Sequence, residues 1–367
     1  MSRPFINIES DMRNFPRFLA TVIGSVPFTD PDYAVQVALT QLSEAPVWPQ
    51  LPKVGLNEQM EIQYSEGMPR ATIDREKNRM FFDTSGDYSD EFAEFYEAYM
   101  TAMDPDDGDG DCSSMAITAD FSKGLFALES ELKKRGTTYP FLKVQTTGPC
   151  TVALSIVDEN KRAIYYNEEF RDVIVKALAM KCRWQIQKFS PYADNIICFL
   201  DEPILSAFGS STYVSVKRED IVELLSEVVE AIHADNGIAG VHCCGNTEWS
   251  ILVDAGVDIL NFDAFEFGDT IAIYPDAIKT LFNRGGKIAW GVVPTSTAIQ
   301  EITVAGLADH FEKVMDNLAA KGIDKQQIIE NAIITPACGT GSLEPADAEK
   351  VFETTAALSE FMRSRYQ

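Results

Sequence analysis

The sequence predicts a (β/α)8 barrel of the TIM type carrying a helical insertion between its second and third strands. Three observations predict it. Eight short β-rich runs each close on Gly, Pro, Asp or Cys, longer amphipathic stretches with charged faces separate the later ones, and the 367 residues are enough for one large domain. Strands that alternate with helical crossovers run parallel, and eight of them close on themselves.

The first run is TVIGS (21–25) and the second is APVWPQL (45–51). The gap that follows is too long for one crossover, so about 64–136 is read as an insertion whose helices include DEFAEFYEAYM and KGLFALESELKKRG. FLKVQTTG (141–148) and NIICFLDEP (195–203) come next. In REDIVELLSEVVEAIHADNG apolar residues recur every three or four positions and Asn236-Gly237 supplies a stop. GIAGVHCCG (237–245), DILNFDAF (258–265), KIAWGVVP (287–294) and AIITPACG (332–339) complete the eight. The whole of 1–367 is thus expected to be a single catalytic barrel domain. A doubly wound open sheet would call for a glycine-rich phosphate loop after the first strand, and IGSVP is not one.

Composition narrows the function. A hydrophobic fraction of 46% supports a sizeable core, while 31 Lys and Arg against 56 Asp and Glu leave a net charge of −25. That field repels nucleic acid and anionic membrane surfaces, and no local basic patch offsets it. No apolar run approaches the roughly 20 residues of a membrane span, and MSRPFINIESDMRNF lacks the layout of a signal peptide. The expectation is a soluble, cytoplasmic chain whose seven cysteines are reduced thiols. The one biased segment, DPDDGDGD (104–111), does not follow the calcium-loop order and reads as a solvated loop.

Only three histidines are available to any mechanism. His233 and His310 lie in helical patterns and read as solvated helix-face residues. His242 ends an apolar strand in GVHCCGNT, with Cys244 on the same face and Cys243 on the other. The barrel brings Cys338, in TPACG at the end of the eighth strand, to the same mouth. In DILNFDAF, Asn261 and Asp263 share the face opposite Leu260 and Phe262, so Asp263 is the acid expected there, with Glu266 as second choice. One imidazole, two thiolates and a carboxylate or water make a tetrahedral zinc set, and ligands drawn from strands far apart in sequence suit a catalytic site with an exchangeable position.

Together, IGS (Gly24-Ser25), TGP (Gly148-Pro149), DEP (Asp201 to Pro203), His242-x-Cys244 and CG (Cys338-Gly339) resemble the cobalamin-independent methionine synthase family. The wider superfamily includes uroporphyrinogen decarboxylase and the methylcobamide:coenzyme M methyltransferases. The resemblance spans nearly all of the barrel, from TVIGSVP to TPACG. It implies that His242, Cys244, Cys338 and an acid, here Asp263 where the family has Glu, hold zinc, and that the substrate thiol takes the open position. It also implies that Ser25 and Asp201 hold the amino-acid end of homocysteine.

Two departures shape the functional expectation. The folate-using members resemble two joined barrels and carry a histidine after strand seven that serves protonation of the leaving folate. This chain has room for one barrel, and its equivalent stretch, GVVPTS (291–296), has no such acid. HCCGNT is more similar to the corrinoid-linked members, and a methylated corrinoid needs no proton to leave. Decarboxylation is disfavoured because PVW (46–48) is followed by PQLPKVGLNEQ rather than an arginine-rich stretch able to grip porphyrin carboxylates. The expected activity is zinc-dependent transfer of a methyl group from a methylcorrinoid, carried by a corrinoid protein, to homocysteine. The alternatives are coenzyme M or another small thiol as acceptor, although Asp201 argues against a sulfonate, and a metal- or corrinoid-binding barrel without turnover.

Overall fold

The computed structural model describes residues 15–103 and 110–367. The acidic segment expected as a loop at 104–111 lies, apart from its last two residues, outside the described residues, as does the segment weighed as a signal peptide up to residue 14. Seven parallel strands form one sheet: β1 (Leu19–Ala20), β4 (Tyr139–Thr147), β5 (Ala193–Asp201), β6 (Ile238–Cys243), β7 (Ile259–Phe262), β8 (Lys287–Val293) and β9 (Ala332–Pro336). Their order is β1-β9-β8-β7-β6-β5-β4. β2 (Ala71–Asp74) and β3 (Arg79–Phe82) make a separate antiparallel hairpin.

The sheet is curled. Leu19, Phe141, Ile197, Phe199, Ile238, Ile259, Ala289 and Ile333 come from all seven strands and pack into one apolar cluster with Phe15 and Ala45. A flat sheet could not bring its two edge strands to the same cluster. Helices cover the outside, among them Pro31–Gln41, Glu168–Phe189, Arg218–Ala234, Val304–Ala319 and Pro345–Arg365. Among the described residues, no helix is long and apolar enough to cross a membrane.

The expected eight-stranded barrel is a seven-stranded curled sheet, and the first two runs account for the difference. The regular part of the first strand is Leu19–Ala20, just before TVIGS, although the Thr21 N–H still reaches Ile334 O at 3.1 Å. APVWPQL is no regular strand. Pro46 O, with Glu44 O just before the run, accepts from β4, and the run donates to the other edge through Gln50 N–H to Gly24 O at 3.0 Å. Isolated parallel bridges, Val47 to Lys143 and Ser25 to Gln50, are what it forms. Pro46 and Pro49 have no N–H to give, so a continuous ladder cannot run through them.

Within 64–136, helices at Ser89–Met103 and Lys123–Arg135 cover both stretches read as helical. Lys123–Arg135 packs beside Pro31–Gln41 and ends on Gly136 in the left-handed region, from which the chain enters β4. That helix serves as the crossover. The Ser89–Met103 helix and the hairpin clothe the Glu168–Phe189 helix, with the Phe92 and Phe170 ring centroids 5.0 Å apart. His233, expected on a solvated face, is instead half-buried and pairs through Nε2 with Asp258 Oδ2 at 2.7 Å. His310 is likewise half-buried, its ring 5.4 Å from that of Phe265.

Candidate metal centre

Strand register builds the site. Thr147, Asp201, His242, Asn261, Ala289, Ile333 and Leu19 are successive Cα partners across the sheet, and partners in parallel strands point to the same face. Because Leu19, Ala289 and Ile333 belong to the interior cluster, Asp201, His242 and Asn261 also point inward. Ile238 and Gly240 share His242's face of β6. A Cβ on Gly240 would sit 2.2 Å from the Phe199 ring, so glycine there leaves the interior to that ring.

His242 is buried at the end of β6, and Cys244 follows just past the strand. Cys338 comes two residues after β9, on a turn held by Ala337 N–H to Val293 O at 2.8 Å. Cys244 Sγ lies 3.2 Å from His242 Nε2 and 3.2 Å from Cys338 Sγ, and the three donor atoms are all within 4.8 Å of one another. Tetrahedral zinc with Zn–S near 2.3 Å separates two sulfurs by about 3.8 Å, so the thiols need part by only about half an ångström. The donor set fits zinc.

Proton sharing inside the group is uneven. The hydrogen bond from Cys244 holds the Cys338 thiol down at about 4 against burial, with the hydrogen bond and charge of His242 adding to it. Cys244, as donor to that thiolate, is pushed up. Burial pulls His242 down, but bonding and attraction to Cys338, together with the charge of Asp201, leave it raised. Cys243 faces away, and burial pushes its thiol up to about 12. It takes no part.

Asp263 is not in the group. It follows β7 as the cap of the short helix Ala264–Phe267, its Oδ1 accepting the Glu266 N–H at 2.9 Å, while Glu266 itself is exposed. Burial, with the nearby charges of Glu266 and Cys338 adding to it, raises the carboxyl of Asp263. Ser25 lies against the Cys338 turn: its carbonyl accepts from Thr340 N–H at 2.8 Å, and its Oγ sits 2.0 Å from where a Cβ on Gly339 would be. The CG motif therefore needs its glycine to admit this serine.

Asp201 is 7% exposed, and its Oδ1 has no hydrogen-bond partner. Burial pushes its carboxyl up to about 6, opposed by the charges of Lys143 and His242. Lys143 is fully buried inside the sheet, with Nζ 2.5 Å from Ile23 O and 4.4 Å from the Phe199 ring centroid. It leans on those partners rather than on Asp201, which leaves the Asp201 oxygen available to a ligand. Such an oxygen costs about 1–3 kcal/mol while unpartnered.

The sequence assigns no role to Asn261, Lys143 or Glu202. Glu202, the second acid of DEP, accepts from Cys150 N–H, Thr151 N–H and Thr151 Oγ1 at 2.8, 2.7 and 2.6 Å. It caps the helix Pro149–Ser155, and a Cβ on Gly148 would meet its Oε1 at 2.2 Å. TGP and DEP are thus one structural device. Gly148→Ala should destabilise the protein by about 1–3 kcal/mol, as overpacking does, read from the urea midpoint. An unchanged midpoint would contradict the placement of Glu202.

No family profile matches the chain, and no curated protein matches its sequence. The chain is similar to solved structures. A methyltransferase from Methanosarcina mazei aligns over 98% of this chain and 98% of its own with a TM-score of 0.54 and 15% identity. A B12-independent methionine synthase from Shewanella sp. W3-18-1, in complex with selenomethionine, aligns over 65% of this chain and 67% of its own at a TM-score of 0.45 and 14% identity. At these identities the Methanosarcina likeness bears on the fold alone.

Proposed function

We propose that this chain is a zinc-dependent thiol S-methyltransferase that makes methionine by moving a methyl group from a methylcorrinoid, carried by a corrinoid protein, to homocysteine. The observation that carries the reading is the convergence of His242, Cys244 and Cys338 beside a buried carboxylate oxygen with no partner. The chain of similar fold from Methanosarcina mazei is named a methyltransferase, the reaction class proposed here.

His242 Nε2 and the two sulfurs would hold the metal, leaving a position for the substrate, and Asp263, on which the charge of Cys338 acts, would be the acidic ligand if it gave up its capping bond. Zinc there supplies the charge that keeps a bound thiol as thiolate near neutral pH, where a free thiol is only a few per cent ionised. The residues of this chain do the rest. Asp201, next to His242 in register, would pair with the ammonium group of homocysteine, and Ser25 would hold the carboxylate end from the Cys338 side. The apolar interior below, from Phe199 down to Ile259 and Ile333, keeps water from the sulfur. A sulfonate acceptor such as coenzyme M would meet the Asp201 charge as repulsion. All seven cysteines are unpaired thiols, which fits a reducing, cytoplasmic setting.

Asp201→Asn tests the acceptor. It keeps the shape and removes the charge, so homocysteine KM should rise about tenfold or more while KM for a simple alkyl thiol stays within a few-fold. Equal losses for both thiols would remove the ammonium contact from Asp201.

A further inference from the structure

Asn261 occupies a position where the fold alone favours an apolar side chain. It lies on the inward face of β7 with Ile259 below it and Ala289 beside it in register, and it is fully buried, as is Thr335. Burying an amide is tolerated only when its donors and acceptor are satisfied. Here all of them are. Nδ2 donates to Ala289 O at 2.7 Å and to Thr335 Oγ1 at 2.8 Å, and Oδ1 lies 2.6 Å from His242 Nδ1.

This pattern fixes which way round the amide sits. Ala289 O can only accept, so the group facing it must be the NH2, and Oδ1 is left to face the imidazole. A carbonyl oxygen cannot donate, so the hydrogen between Oδ1 and Nδ1 belongs to Nδ1. A neutral imidazole carries one N–H. Its lone pair is then on Nε2, the nitrogen 3.2 Å from Cys244 Sγ.

We propose that Asn261, anchored by Ala289 O and Thr335, is the positioning residue that holds the His242 ring as its Nδ1–H form with Nε2 presented to Cys244 and Cys338. The inference rests on the metal-centre reading of the preceding subsection. The opposite tautomer would set two lone pairs against each other at Nδ1 and Oδ1 and put a hydrogen where the metal must bind. Asn261 acts through His242 and touches no reacting atom. Its effect belongs on metal affinity, where the outer partners of ligating histidines are worth about 10–100-fold.

The test uses the full chain with 15N-labelled histidine and needs no turnover. With only three histidines, long-range 1H–15N spectra of the metal-free protein, at a pH where the ring is neutral, read the tautomer of His242 directly. Zinc affinity is read by competition with a chromophoric chelator. Wild type should show the Nδ1–H pattern. Asn261→Leu should lower zinc affinity about 10–100-fold, and Asn261→Asp, which keeps an oxygen facing Nδ1 but sets its second oxygen against Ala289 O, should retain the Nδ1–H pattern and bind zinc more weakly than wild type and more tightly than Asn261→Leu. An Nε2–H pattern in wild type overturns the proposal. So does a folded Asn261→Leu protein that loses stability but binds zinc as wild type does. Should Asn261→Leu not fold, the wild-type spectrum and the Asp variant decide. A wild type that shows Nδ1–H yet takes up no zinc upholds the tautomer and refutes the metal reading separately.

Discussion

Cys338→Ser should cost the protein more than about 100-fold in zinc affinity, a larger loss than the 10–100-fold typical of outer partners, and should take methyl transfer below detection. The reason is the donor atom. A serine hydroxyl is a harder ligand and holds its proton far more tightly than the Cys338 thiol, which Cys244 and His242 hold down. The fold should survive. Cys338 is half-buried on a turn beyond β9, and its Sγ contacts the Cys244 thiol rather than the apolar core. The melting temperature should therefore stay within a few degrees while metal content, measured on the same sample, collapses. Full zinc occupancy with full turnover would remove Cys338 from the centre.

The choice of methyl donor should differ by at least about 100-fold in favour of methylcobalamin over methyltetrahydrofolate, since a positioned general acid is worth about 10²–10⁴ in rate. The folate amine must be protonated as it leaves, whereas cobalt departs as Co(I) without a proton. The stretch GVVPTS (291–296), at the end of the expected seventh strand, offers no such acid. Gly291 is wedged within β8, where a Cβ would meet Phe262 O at 2.2 Å and Ala337 Cα at 2.9 Å. Ser296 accepts from the Ala298 N–H at 3.3 Å as the cap of the following turn. His310, the remaining downstream histidine, sits on the helix Val304–Ala319 against Phe265. If the donor is carried by a protein, the net charge of −25 calls for a docking face with basic residues and for association that weakens as salt rises. Rapid methylation from methyltetrahydrofolate without a corrinoid would contradict this account of the donor.

Much of this was readable from residue order because strands have a period of two. That period put His242 on the inner face, and it separated Cys243 from the site. It also selected Asp263, by continuing the alternation from Asn261, but the strand stops one residue short of it. β7 ends at Phe262, and an aspartate just past a strand can satisfy the N–H groups of a new helix turn, which is what Asp263 does for Glu266. The inward polar residue of the strand proper is Asn261, whose meaning depends on Ala289 and Thr335, brought alongside by register across three strands. The second run was misjudged for a local reason: its apolar character reads as strand, but two prolines interrupt the ladder. His233 was placed on a solvated face because its partner, Asp258, is distant in sequence and arrives only with the start of β7. Glu202 was passed over because a helix cap formed across two strand ends leaves only the TGP and DEP pairs as its trace.

The central claim, that a zinc held by this chain activates a homocysteine thiol toward a corrinoid methyl group, is tested most directly by methionine formation from methylcobalamin and homocysteine. The measurement compares the zinc-loaded protein, the same protein after chelation, and the chelated protein with zinc restored. The expected result is turnover by the loaded protein, its loss on chelation, and recovery with about one zinc per chain. Methionine formation that is unaffected by removing the metal, or none at all from a fully loaded and folded protein, would contradict the claim.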